Sequence, residues 1–122
     1  MSFPNSDLPS TDSSGINRRQ HARKIVRRTA HLKFPDRSVI KVRTTDVSSG
    51  GVGVISDLNL AHGTVCMIRL TLPLHPQDKT VLNIQAKVAH SVFSQAEKGF
   101  KVGFQFTELA SAEEAIARFI AL

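Results

Sequence analysis

The chain is poor in the residues that mark most catalytic, metal-binding and base-stacking proteins. Its 122 residues include no tryptophan, no tyrosine and one cysteine, Cys66. A single cysteine excludes an internal disulfide and cannot supply the thiolates of a structural zinc site; within an apolar stretch it reads as a buried, inert thiol. Seven phenylalanines are the only aromatic residues, so a platform for unpaired bases would rest on Phe or Arg alone. No run approaches the ~20 apolar residues of a membrane-spanning helix. The opening MSFPNSDLPSTDSSGIN lacks both the basic and the apolar part of a signal peptide. A cytoplasmic protein is the simplest expectation. His21, His31, His62, His75 and His90 show no metal-ligand spacing, and Ser48 and Ser49 lack the nucleophile-elbow pattern. No catalytic residue, metal or cofactor is expected, and therefore no enzyme.

Acid is scarce in one stretch. Between Arg18 and Arg43 lie ten lysines and arginines opposed by Asp36 alone, within a chain whose net charge is +6. A local field of that strength attracts phosphate, on a nucleotide, a nucleic acid or a membrane. Hydrophobic residues make up 41% of the chain, enough for a core, and the length suits one domain.

Residues 1–17 are rich in Ser, Pro, Asp and Asn without apolar periodicity and read as a disordered leader, with residues 18–122 as the domain. A charged arm follows to about residue 28. The apolar residues then keep the period of strands: 28–34, 38–47, 51–56, 64–72, 80–92 and 100–106. Pro35-Asp36, SSGG at 48–51 and SQAEKG at 94–99 read as the turns between them. In 64–72 the apolar face is expected to hold Val65, Met67 and the leucines, with Pro73 and Pro76 ending the strand. In 100–106, Phe100, Val102, Phe104 and Phe106 share a face. The period changes at the end, where Ala112, Ala115, Ile116 and Phe119 mark one helical face and Ser111 with Glu114 forms a capping box. The expected class is all-β, an antiparallel barrel or sandwich, with a C-terminal helix over one opening or edge.

Two short motifs stand out. Arg19-Gln20-His21-Ala22-Arg23 is an R-x-x-x-R, and Asp46-Val47-Ser48-Ser49-Gly50-Gly51 is a D-x-S-x-x-G. Twenty-two residues separate Arg23 from Asp46, room for an arm and two strands. The pair, with KVGFQFTEL (101–109) ahead of a helix, resembles the PilZ domain, a bacterial receptor family for the second messenger cyclic di-GMP. The resemblance runs roughly from residue 18 to 121. It implies a six-stranded antiparallel β-barrel with a short C-terminal α-helix and a flexible N-terminal arm. It implies cyclic di-GMP as ligand, bound by Arg18, Arg19, Arg23, Asp46, Ser48 and Gly51, with Ser49, Gly50 and His90 as secondary candidates. Arg18, directly before the first motif, is where similar domains reach a second ligand molecule. A downstream protein partner is also implied.

The residue types suit that ligand. Guanine O6 and N7 match the guanidinium fork, which also pairs with phosphate bidentately and stacks on flat rings. A carboxylate such as Asp46 accepts from guanine N–H donors, or caps its own turn. Ser48 donates to the ligand or holds the turn. Gly51 permits positive φ or close backbone approach. His90 is either a ligand contact or an exposed strand residue. Two other readings remain at this stage. One is a degenerate relative that binds a protein partner without nucleotide. The other is a basic β-barrel for nucleic acid, against which the scarcity of aromatics weighs.

Overall fold

A computed structural model describes residues 22–75, 78–109 and 112–122. Seven strands precede one helix: β1 (Lys24–Ile25), β2 (Thr29–Lys33), β3 (Val39–Val47), β4 (Gly51–Ser56), β5 (Val65–His75), β6 (Asp78–Ser94), β7 (Gly99–Glu108) and α1 (Ala112–Ala121). All pairings are antiparallel. The order β3-β2-β5-β6-β7-β4 closes through a β3–β4 pairing into the expected six-stranded barrel. The leader, Arg18, Arg19, His21, Pro76 and Ser111 of the capping box lie outside the described residues.

The arm enters the sheet earlier than its charge suggested. Lys24 and Ile25 pair with Val47 and Asp46, so β1 continues the line of β2 along β3. Between the two, the Thr44 hydroxyl donates to the Val26 carbonyl (2.6 Å) and accepts from the Arg28 N–H (3.0 Å). Thr44 is buried, and these bonds meet the cost that an unpaired hydroxyl would carry there.

Alternation fills the barrel. Leu32, Val42, Val54, Ile68, Leu70, Ile84, Val88 and Val102 all point inward. Each such side chain is worth about 1.5–3 kcal/mol of burial. In β5 the sequence phase is half inverted. Cys66 and Ile68 face the core with Leu70 and Leu72, while Val65 and Met67 face out. Strand alternation allows one set inside, and the leucines are the set that fits between β2 and β6. Burial pushes the Cys66 thiol up to about 11, as an inert core thiol requires. Pro73 does not end β5, which runs on to His75. Only Met67–Arg69 of β5 pair with β2, so Pro73 stands on an open edge, where a missing N–H is tolerated.

The helix has the expected face. Ala112, Ile116 and Phe119 join the barrel core, packed against β5 and β6. Its C-terminal end is held from the arm: the Lys24 ammonium donates to the carbonyls of Phe119 (3.1 Å) and Leu122 (2.9 Å) and lies 4.9 Å from the centre of the Phe119 ring. A cation there complements the partial negative charge of the helix end.

Candidate functional site

Two β-bulges build the site. On β3, Val42 and Thr44 point into the barrel, and strict alternation would send Asp46 after them. The register instead slips at Thr45, so Asp46 pairs with Gly53 and faces outward. On β6, Leu82, Ile84, Ala86 and Val88 point inward, and the next even position is His90. A slip at Ala89 pairs His90 with Gly103 and turns it out as well. An extra residue re-aims everything after it, which is how bulges commonly serve sites.

Gly53 and Gly103 pair with each other across β4 and β7. One row therefore reads Asp46, Gly53, Gly103, His90 across four strands, with two glycines as floor and two polar side chains as walls. A methyl group on Gly53 would stand 2.5 Å from the Asp46 Oδ1, and one on Gly103 would meet the His90 ring. The walls lean over the floor, and only glycine leaves them room. Above this row lies a groove of about 410 Å³, within the range of small-molecule sites, bordered also by Arg23, Arg27, Thr45, Glu97 and Lys101.

Asp46 is fixed at both oxygens. Arg23 Nε donates to Oδ2 at 2.7 Å, and the Thr45 hydroxyl donates to Oδ1 at 3.0 Å. Partial burial pushes the Asp46 carboxyl up, but those hydrogen bonds and the charges of Arg23 and Lys101 outweigh it and hold the group below its ordinary 3.8. It is an anion at neutral pH. Arg23 spends only Nε on this pair, and among the described residues nothing engages its terminal nitrogens. Across the groove, Arg27 reaches Glu97 at a loose 4.0 Å.

Of the residues expected from the sequence, the structure brings Arg23, Asp46 and His90 together. Ser48, Ser49, Gly50 and Gly51 lie outside the groove lining. The buried Ser48 hydroxyl accepts from the N–H groups of Gly50 (3.2 Å) and Gly51 (3.1 Å), the turn-holding role of its two alternatives. Gly51 does not take positive φ; a side chain there would strike the Phe104 carbonyl of β7, so the close approach is between strands. Gly50 anchors the same turn to β7 through its carbonyl, which accepts from the Phe106 N–H at 2.9 Å. Ser49 is exposed at the tip. Arg27, Thr45, Gly53, Glu97, Lys101 and Gly103 were missed. The glycines carried a signal: an isolated glycine within a strand, as in GVGVIS and KVGF, marks a bulge or close approach.

Compared with protein-family models, residues 17–122 match the PilZ domain, and the chain belongs to that family. Solved structures with the same fold include the Bacillus subtilis inhibitor of motility MotI/DgrA, 18% identical, with a TM-score of 0.77, covering 87% of this chain and 51% of that one. Escherichia coli YcgR in complex with c-di-GMP is 20% identical, with a TM-score of 0.69, covering 85% of this chain and 45% of that one. The PilZ domain of the same protein with c-di-GMP is 18% identical, with a TM-score of 0.62, covering 85% and 89%. The chain thus spans about half the length of the first two. A comparison with curated protein sequences gives no match.

Proposed function

We propose that this domain is a receptor for cyclic di-GMP and that the groove over Gly53 and Gly103 is where the ligand binds. The observation that carries this is the Arg23–Asp46 pair at 2.7 Å, which joins the two motifs at the wall of a glycine-floored groove. Family membership and the ligand in the YcgR structures support it. In this reading Asp46 accepts from guanine N–H groups, and the terminal nitrogens of Arg23 meet guanine O6 and N7 or a phosphate. His90 offers a flat ring on the opposite wall. Ser48, Ser49, Gly50 and Gly51 act through the turn that sets where Asp46 stands. Arg19 lies at most about 14 Å of chain from Arg23, so it and Arg18 can close over a ligand seated there. That closure changes the surface offered to a protein partner, and the domain catalyses nothing.

Calorimetric titration with cyclic di-GMP tests the reading. The expected Kd is around micromolar, about −8 kcal/mol. Charge-assisted hydrogen bonds are worth about 1.5–3 kcal/mol each, so Arg23→Ala and Asp46→Ala should each weaken binding roughly tenfold or more. Absence of heat at about a hundred times that concentration removes the proposal. Unchanged affinity in both variants removes the site.

A further inference from the structure

Away from the groove, the outer face of β2, β3, β5 and β6 carries a second concentration of charge. His31 stands directly opposite Lys41 on one side and Arg69 on the other. Lys33, Arg43 and Lys87 project from the same strands, and all six side chains are exposed. None is in an ion pair among the described residues. The segments Val65–Leu74 and Lys79–Ala89 hold no acidic residue, and Asp36, in the β2–β3 turn, is occupied by Ser38. No carboxylate stands between Lys41 and Arg69, which flank His31 in one row. Neither the core nor the ligand groove needs this row.

Two apolar side chains are exposed among the charges. Lys33 is flanked by Val39 and Met67, which are 55% and 40% exposed. With His31, Arg69 and Asn83 they line a depression of about 530 Å³. Exposed apolar side chains interspersed with cations suit a segment that carries both aliphatic and acidic residues, and methionine is enriched at protein interfaces. A phosphate backbone would engage the cations and leave Val39 and Met67 without a partner.

We propose that this face docks an acidic segment of a partner protein, with an aliphatic side chain seated on Val39 and Met67 and carboxylates on His31, Lys41 and Arg69. About five extended residues cross the four strands. The site shares no lining residue with the ligand groove, so the two proposals stand or fall separately.

The test uses the full chain and a fluorescent peptide of Glu-Glu-Leu-Leu repeats, about ten residues long, whose facing side chains in an extended chain alternate between carboxylate and leucine, at near-physiological salt. Expected are saturable anisotropy and amide shifts confined to β2, β5 and the facing halves of β3 and β6. Arg69→Glu should weaken binding at least about tenfold while leaving the unfolding midpoint nearly unchanged, because the side chain is exposed and in no ion pair among the described residues. Met67→Ser should weaken the glutamate–leucine peptide and leave an all-glutamate peptide unaffected. The proposal is overturned if the peptide does not bind this face, whether or not duplex DNA or phosphatidylglycerol vesicles do. Self-association that Arg69→Glu abolishes overturns it too. So do shifts on this face in Asp7→Asn/Asp12→Asn without peptide, which would make the chain's own leader the occupant.

Discussion

Asp46 accepts hydrogen bonds from Arg23 and Thr45 at the groove, whereas Ser48, two residues on, is buried and accepts from two backbone N–H groups of its own turn. The D-x-S-x-x-G pattern therefore joins one groove-facing residue to several that shape the corner behind it. Ser48→Ala leaves the Gly50 and Gly51 N–H groups without their acceptor, and a buried unsatisfied donor costs about 1–3 kcal/mol. Urea unfolding should show that loss, with ligand affinity changed less than in Asp46→Ala. A variant of unchanged stability would return Ser48 to the list of direct contacts. Residue types were legible here because chemistry selects them: guanidinium and carboxylate suit guanine whatever the fold. Which of two roles a serine takes was not, since that depends on whether its hydroxyl ends inside or outside a turn.

The bulged strands decide the site at the level of elements. Thr45 and Ala89 each occupy the extra position that turns an even-numbered polar residue out of the barrel. Deleting Ala89 removes the extra residue, so the shortened β6 should alternate regularly, with Val88 inward and His90 still outward opposite Gly103. The expected outcome is an unfolding midpoint, by calorimetry, close to the parent's, and ligand binding that keeps the His90 wall. Loss of either would show that the bend of the bulge, and not only the residue count, sets where His90 stands. Strand positions could be read from period-2 patterns and α1 from its 3.6 period, because those patterns express burial directly. The bulges could not, since one extra residue looks like ordinary alternation that merely changes phase. The Val65 and Met67 phase failed for a related cause: β5 is apolar on both faces, and neighbouring strands choose which one is inside.

At the scale of the whole molecule, two charged regions sit on one small barrel, and pH should separate them. The Asp46 carboxyl is held below 3.8, so its pairing with Arg23 is fully present above the unfolded carboxylate value of about 3.9 and is lost as pH falls through the lower folded value. Cyclic di-GMP affinity should therefore not lose Asp46 between about pH 8 and 5 and should drop below about pH 4, in titrations at fixed salt. Asp46→Asn should lack that acid step. Both members of the pair are partly exposed, so its worth to stability is only about 0–1 kcal/mol. The all-β class, the terminal helix and the two motifs followed from local rules, namely periodicity, turn chemistry and charge, each of which acts over a few residues; the closed six-stranded barrel came from the resemblance to the PilZ domain. The meeting of Arg23 with Asp46, the glycine floor under His90, Lys24 on the end of α1 and the row from Lys41 to Arg69 join residues far apart in the chain. Strand order and register set those neighbours, and a slip of one residue would have exchanged inside for outside.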